Sequence, residues 1–224
     1  MTQFRHNERI EALQGALEGL LRARMTNAGW HADPTAILGT GDGVVGHFRH
    51  PLNDDFAATA WFAWLGDFPP LKVDTAVGVS YQRTYRVWPY LLNGYPCSEL
   101  RVGAEDLGQV SRYVELWEQD EVDRAVDQLV TPVLDHAVDW AAPFASVEAL
   151  LAALRTSDDD VVKSMEIPVV LAAAGRSEEA RQALADALLL PRDSADERYM
   201  DRFAARFRTW LASGAPASPP DSAP

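Results

Sequence analysis

The glycine run GTGDGVVG, residues 39 to 46, has the spacing G-x-G-x-x-G that binds phosphate groups in other proteins. A dinucleotide site of this kind needs a helix after the glycines, because the helix N-terminus faces the pyrophosphate. The sequence that follows is HFRHPLNDD, in which Phe48 favours a strand and Pro51 cannot lie inside a helix that opens at Gly43. We therefore predict that Asp42 and Gly43 form the turn of a β-hairpin and that no nucleotide binds there.

Histidine and aspartate residues directly after the glycine run suggest a second kind of chemistry. His47 and His50 have the spacing H-x-x-H, and with His31 and Asp54 or Asp55 they are candidate ligands of a metal ion. Residues three apart on a strand point to opposite faces, so the two histidines converge only if the backbone turns before Pro51. Surface histidines without a metal are one interpretation. A metal-dependent enzyme with this site is the other, and it is our alternative functional prediction.

The familiar catalytic motifs are absent from the sequence. It contains no G-x-S-x-G, H-E-x-x-H, P-loop or EF-hand pattern. An active site can also assemble from distant residues, so these absences do not exclude an enzyme. We predict a non-enzymatic protein that carries no cofactor.

The charge of the chain favours a basic protein as the partner over a nucleic acid. The net charge is −13 at pH 7, and affinity for nucleic acid comes mainly from lysine and arginine. Residues 104 to 127 contain eight acidic residues and only two arginines. A solvated surface that serves solubility is one interpretation of this stretch. A docking face for a cationic protein is the other.

Aromatic and arginine side chains cluster in the sequence ahead of the acidic stretch. These side chains are typical anchors of protein interfaces, and the alternative is that the rings cap the edge of the core. The predicted binding residues are Arg83, Arg86, Trp88, Tyr90 and Tyr95 from this cluster, with Glu115, Glu118, Asp120, Glu121 and Asp123 from the acidic stretch.

Apolar residues recur at steps of three and four near the N-terminus, which predicts a long helix with one buried face. Gly29 after this helix can adopt the left-handed conformation that ends a helix, and Trp30 can fold back on the last turn. The apolar stripe consists of Ile10, Leu13, Leu17, Leu20 or Leu21, and Met25.

Strand patterns follow from Ala36 onward. The sequence LKVDTAVGVSY, residues 71 to 81, alternates apolar and small or polar residues, which predicts a strand with one buried face. Residues 56 to 65 are apolar on both faces, so we expect a central strand there. Shorter strands are predicted at Ala36 to Thr40, Val44 to Arg49, Glu99 to Val102 and Tyr113 to Trp117.

Beyond Gln119 the pattern is helical, with Pro132 expected to kink or restart one helix and Pro168 another. We predict an α+β fold with an N-terminal helix, an antiparallel sheet of four to six strands and a C-terminal segment of four to five helices. The predicted domains are residues 1–118 for the helix and sheet core, 119–212 for a helical region packed on or beside it, and 213–224 for a disordered tail.

No apolar run approaches the ~20 residues that a membrane span needs, so we expect no membrane association. The first residues mix charges with apolar positions and lack the apolar core of a signal peptide, which predicts a cytoplasmic protein. The single cysteine, Cys97, cannot form an internal disulfide and agrees with a reducing compartment.

Two resemblances to known architectures complete the sequence analysis. The segment VVLAAAGRSEEARQALADAL, residues 169 to 188, resembles one tetratricopeptide unit, with two short helices joined at Gly175. The predicted order of leading helix, sheet and trailing helices resembles small bacterial domains found among immunity proteins that neutralise polymorphic toxins. That resemblance implies a bacterial, toxin-neutralising or accessory factor that binds another protein. A structural subunit of a larger assembly is a further alternative, and the sequence does not fix the oligomeric state.

Overall fold

The computed structural model describes residues 2–33, 44–65, 70–85, 87–92, 100–103, 113–157, 162–190 and 194–215. Its helices are α1 (Thr2–Asn27), α2 (Gln82–Tyr85), α3 (Trp88–Leu92), α4 (Val122–Ala141), α5 (Val147–Thr156), α6 (Ile167–Ala173), α7 (Ser177–Leu188) and α8 (Ser194–Ala212). Its strands are β1 (His31–Ala32), β2 (Val44–Pro51), β3 (Phe56–Trp64), β4 (Leu71–Tyr81), β5 (Leu100–Gly103) and β6 (Tyr113–Leu116). This order confirms the predicted α+β fold.

Helix α1 ends as its sequence predicts. Gly29 has a φ of 85°, a conformation that residues with a Cβ rarely adopt. The main-chain N–H of Trp30 then donates to the carbonyl of Met25 at 3.0 Å, and the Trp30 side chain is only 2% exposed. The stripe of apolar residues is also confirmed. Its buried members are Ile10, Leu13, Leu17, Leu21 and Met25.

The six strands form one sheet in the order β1-β2-β3-β4-β5, and β6 also pairs with β4. Antiparallel registers place His31 opposite Arg49 on β1 and β2, and Lys72 opposite Glu115 on β4 and β6. The central position of β3 confirms the prediction for residues 56 to 65. The predicted strand Ala36 to Thr40, the glycines of residues 39 to 43 and the Asp42 turn lie outside the described residues.

Strand β2 packs on α1 and on its neighbour β3. Phe48 of β2 meets Phe62 of β3 edge-on, with ring centroids 6.0 Å apart. Gly46, the last glycine of the G-x-G-x-x-G run, lies on the same face of β2 as Phe48. A Cβ built on it would lie 3.5 Å from Leu21 of α1 and 2.6 Å from the Phe48 ring. Gly46 therefore serves close packing between strand and helix.

The chain divides into two compact units. The first contains Met1–Leu52, Ala58–Gly78 and Arg101–Ala142, and the second contains Asn53–Ala57, Val79–Leu100 and Pro143–Pro224. In the first unit α1 packs against α4 and β2, and α4 packs against β6. Helix α4 therefore lies in the same unit as α1 and packs against it. The predicted domain boundary at residue 118 stays a prediction.

In the second unit α6 packs against α5 and α7, and α3 packs against α8. Helix α5 begins at an N-cap, because the Ser146 hydroxyl accepts the N–H of Ala149 at 3.2 Å. Helix α8 has one buried apolar side. Its buried residues include Met200, Phe203, Phe207 and Trp210.

The two helix prolines have different effects. Pro168 lies at the start of α6, directly after a π-helical stretch, Val162–Glu166, so the helix changes its hydrogen-bond pattern near Pro168 and does not restart after a loop. Pro132 lies inside α4, which runs unbroken from Val122 to Ala141, so no new helix starts at Thr131. Of the predicted tail, residues 216–224 lie outside the described residues. No single helix in the described ranges has both the length and the apolar character of a bilayer crossing, although Gln119–Phe144 and Val147–Thr156 meet these criteria jointly as a bent pair.

Candidate protein-interaction surface

Residues 117–123, which we name the acidic turn, connect β6 to α4. β6 ends at Leu116, Gln119–Glu121 form one 3-10 turn, and α4 begins at Val122. The acidic turn contains four carboxylates and no basic residue. It holds four of the five acidic residues that the sequence analysis selected, and the fifth, Glu115, lies on β6.

The carboxylate of Glu121 holds the main chain of the acidic turn in place. Its Oε2 accepts the N–H of Trp117 at 2.9 Å and the N–H of Glu118 at 3.1 Å. The two main-chain N–H groups, together with the Arg124 guanidinium, lower the pKa of Glu121 from its ordinary value because they favour the charged carboxylate. Glu121 is therefore a structural residue of the turn and is not available to a partner in this arrangement.

Trp117 presents an indole ring on this fixed backbone. Its side chain is 50% exposed, whereas Val114 and Leu116 before it are buried. The guanidinium of Arg9 donates to the Trp117 carbonyl at 3.4 Å and forms an ion pair with the Glu118 carboxylate. The main chain on both sides of the indole is thus tied down while the ring faces solvent. A main chain that is already ordered loses little entropy when a partner binds the tryptophan that it carries.

The carboxylates of the acidic turn are only partly neutralised. Glu118 pairs with Arg9, and Glu121 pairs with Arg124 at 2.7 Å. Asp120 and Asp123 are exposed, and neither forms an ion pair or hydrogen bond within the part of the chain that the structure describes. These two aspartates carry the negative charge that remains for a partner. They also stabilise the start of α4, because negative charge at a helix N-terminus interacts favourably with the helix dipole.

Glu115 lies on β6 just before the turn and is held by Lys72 of β4. The Lys72 ammonium is 3.3 Å from the Glu115 carboxylate and 3.2 Å from the Tyr113 hydroxyl, and it lies 4.3 Å from the centre of the Tyr113 ring. The hydrogen bond with Tyr113 and the contact with Glu115 raise the pKa of Lys72. Further along α4, Asp127 pairs with Arg24 at 3.0 Å. Several carboxylates of the acidic stretch, residues 104 to 127, therefore form ion pairs with basic side chains of the same unit.

The aromatic cluster of the second unit is placed differently from its sequence-based interpretation. Trp88 is fully buried, so its assignment as a surface anchor is corrected and it belongs to the core. Tyr90 is half-buried, and its carbonyl accepts a hydrogen bond from Arg206 at 3.2 Å. Arg83 is exposed and pairs with Asp55 at 3.4 Å. The remaining candidates of this cluster, Arg86 and Tyr95, lie outside the described residues.

His47 is a buried histidine of the sheet. Burial lowers the pKa of His47 to about 4, Asp33 opposes this shift and Arg49 adds to it. The N–H of Asp33 donates to the His47 carbonyl at 2.9 Å, and the Asp33 and Arg49 side chains form an ion pair at 3.8 Å. The ring of His47 is therefore neutral at pH 7.

The structure does not bring His47 and His50 together. β2 is a continuous strand from Val44 to Pro51, so the backbone does not make the turn before Pro51 that convergence requires. His50 packs on Trp30 instead, with ring centroids 5.5 Å apart. No group of three or more His, Cys, Asp or Glu side chains suited to a metal, with or without Asp54, occurs among the described residues.

Two residues of the surface were missed by the sequence analysis. The strand pattern predicts Trp117 only as the end of a strand, although the alternation of residues 113 to 117 places it outward with Glu115. That alternation was the signal that could have found it. Arg9 offers no such signal, because it reaches the turn from a helix more than a hundred residues earlier in the chain.

Binding is the chemistry that this arrangement can perform. An exposed indole offers apolar and cation–π contact, and the two unpaired aspartates attract cations. No family model, no curated protein and no solved structure matches this chain. The surface is therefore interpreted from its own geometry.

Proposed function

We propose that this protein is a non-enzymatic factor that binds a basic protein through the acidic turn, with Trp117 as the anchor. The observation that carries the proposal is the half-exposed ring of Trp117 on a main chain held from both sides by Glu121 and Arg9. Tryptophan is among the side chains that most often dominate the energy of protein interfaces.

The charges of the turn support a division of roles between anchor and electrostatics. Asp120 and Asp123 are exposed and unpaired within the described chain, so they steer a cationic partner during encounter. The ring of Trp117 sets the lifetime of the complex once it is desolvated. Glu121 serves mainly the structure of the turn, because its carboxylate accepts two N–H groups and pairs with Arg124.

The biological role that we propose is neutralisation of a cationic toxin in a bacterial cytoplasm, or service as an accessory subunit. The resemblance in element order to immunity proteins supports this role. The net charge of −13 supports a cationic target, because it raises the rate of encounter with positive surfaces. The single cysteine, which cannot form an internal disulfide, supports a reducing compartment.

Affinity capture with matched variants tests the proposal. The immobilised full chain is exposed to lysate of its native cell, beside Trp117→Ala and a control, Tyr199→Ala, which removes an aromatic side chain that is 39% exposed on α8. We expect a basic protein that the wild-type chain and Y199A retain and that W117A loses by at least tenfold. Equal retention by all three chains contradicts the assignment of Trp117.

The proposed electrostatic steering is tested by measuring binding kinetics between the purified protein and the purified basic partner. The double variant Asp120→Asn with Asp123→Asn leaves Glu121 and the turn intact. We expect its association rate to fall several-fold at low salt and to depend less on ionic strength, with dissociation little changed. An unchanged association rate would contradict the steering role of the two aspartates. The role of Trp117 as the anchor is tested separately by W117A.

A further inference from the structure

Leu65, directly after β3, points away from α1. It follows Trp64, whose side chain is hydrogen-bonded with Glu18 of α1, and successive side chains of an extended chain point to opposite faces. The main-chain N–H of Leu65 donates to the carbonyl of Lys72 at 2.7 Å, so Leu65 continues the pairing of β3 with β4. Its side chain is 42% exposed. Leu65 therefore places apolar surface on the face of the sheet that α1 leaves open.

The strand registers bring Trp117 to the same face as Leu65. Residues directly opposite each other on antiparallel strands share a face. On one side Lys72 accepts the N–H of Leu65, and on the other it lies opposite Glu115 of β6. Trp117 follows Glu115 by two positions, so it lies on that face as well. Two exposed apolar side chains thus flank the start of β4 from its two neighbouring strands.

The distance across this surface suits a single partner segment. Neighbouring strands lie about 4.8 Å apart, so two strand intervals separate β3 from β6 by about 10 Å. An α-helix with its side chains is about 10–12 Å wide. Pro70 precedes the last register pair, Leu71 with Leu116, and therefore lies beside Trp117. We name Leu65, Pro70 and Trp117 the apolar platform.

The charges around the apolar platform are acidic or already paired. The Lys72 ammonium lies 3.3 Å from the Glu115 carboxylate and 3.2 Å from the Tyr113 hydroxyl, so it is engaged within the sheet. The methylene groups of Lys72 cover the strand surface between the apolar side chains. Next to Trp117 the acidic turn carries Asp120 and Asp123, which are exposed. Apolar surface and uncompensated negative charge are therefore contiguous.

We propose that the basic partner docks an amphipathic helix whose apolar side chains lie on the platform and whose lysine or arginine residues reach Asp120 and Asp123. This inference rests on the proposed function and adds the chemistry of the partner's contact segment. Continuity with the Trp117 anchor and the charge at its border favour this occupant. A second copy is disfavoured, because each copy carries a net charge of −13 and the two repel each other.

An NMR titration of the full chain with three synthetic peptides tests the proposal. Each has about 14 residues, enough to form a helix on a surface. The first has lysines on one helix face and leucines on the other. The second has alanine for every leucine, and the third has glutamate for every lysine. We expect the lysine–leucine peptide to shift the Leu65 amide and the Trp117 indole and to bind about fivefold or more tightly than the lysine–alanine peptide. The glutamate peptide should not bind.

Variants separate the platform from the acidic turn. Leu65→Ala should weaken the lysine–leucine peptide about threefold or more and leave the lysine–alanine peptide unchanged, because only the first loses apolar contact. Leu134→Ala is the matched control, since it removes a leucine of α4 that is 38% exposed in the same unit, and it should affect neither peptide. The double variant D120N/D123N should weaken both lysine peptides.

No binding of the lysine–leucine peptide, or equal affinity of L65A and wild type for it, overturns the role of the platform. If the lysine–alanine peptide still binds through Asp120 and Asp123, the proposed function stands without the platform. If no lysine peptide shifts any residue of the acidic turn, the proposed function fails as well. Light scattering that shows a dimer in wild type and a monomer in L65A would assign the platform to a second copy and would also overturn the inference.

Discussion

The Oε2 atom of Glu121 lies 2.9 Å from the main-chain nitrogen of Trp117 and accepts its hydrogen bond. Through this bond an acidic residue four positions later fixes the backbone that carries the exposed indole. An acidic stretch that reads in sequence as uniform surface charge thus contains a carboxylate whose role is structural.

The first prediction concerns this carboxylate. Glu121→Ala should lower the thermal midpoint and speed amide exchange at Trp117 and Glu118, because both N–H groups lose their acceptor. The pKa of Glu121 is lowered in the folded protein, so its stabilising effect is present at neutral pH and is lost as the pH falls below about 4.5. NMR-detected exchange at pH 7 measures the change.

The matched control for this variant is Asp123→Ala. Asp123 is an exposed acid in the first turn of α4 without a hydrogen bond in the described chain. Its removal should leave exchange at Trp117 unchanged. Similar exchange rates in E121A and wild type would show that the bond does not order the turn.

A second prediction is a pH dependence of stability that comes from His47. The pKa of His47 is about 4 in the folded protein, against 6.5 for an ordinary histidine, so the unfolded chain binds a proton first as the pH falls. Stability should therefore decrease between about pH 6.5 and pH 4, by roughly 2–3 kcal/mol from this group alone.

Urea unfolding at pH 7 and at pH 4.5 measures this contribution in wild type and in His47→Gln. The variant should lose roughly 2–3 kcal/mol less than wild type between the two pH values, whatever its stability at pH 7. His136→Gln replaces an exposed histidine of α4 and should keep the wild-type difference. An identical pH dependence in H47Q and wild type would contradict the buried, neutral state of His47.

The third prediction concerns the stability effect of adding a methyl group at a closely packed glycine, Gly46, and at an unobstructed one, Gly15. Gly46→Ala places a methyl group 2.6 Å from the Phe48 ring, which is buried against Phe62, so we expect a loss of about 1–3 kcal/mol. Gly15→Ala on α1 meets no atom within 4 Å and should instead gain about 0.5–1 kcal/mol. Denaturant midpoints measure both variants. Recovery of stability in G46A with Phe48→Leu would identify the ring as the cause, and no loss in G46A would refute it.

The periodic elements of the fold were predictable from the sequence. The strand at residues 71 to 81 has the predicted bounds, and burial alternates over its first half as predicted, but Val77, Gly78, Val79, Ser80 and Tyr81 are buried on both faces. The stripe of α1 is equally clear, because a helix of 26 residues repeats the same burial over many turns. A long element gives the pattern enough repeats to fix both its type and its buried side.

The candidate surface was predictable only in part. The acidic residues are visible as composition, but their partners Arg9, Arg24 and Lys72 come from other elements, and no local pattern indicates such pairs. Trp88 was misassigned for a related reason. It opens a helix of five residues, which is too short for periodicity to reveal which side is buried.

The packing of α1 on α4 has a consequence for vectorial synthesis. Arg9 and its partner Glu118 are 109 residues apart, and α4 follows Glu118, so at roughly 5–20 residues per second the ribosome needs about 5–20 s to deliver the second helix. A helix forms in about a microsecond. The apolar stripe of α1 therefore remains without its α4 cover for seconds of synthesis.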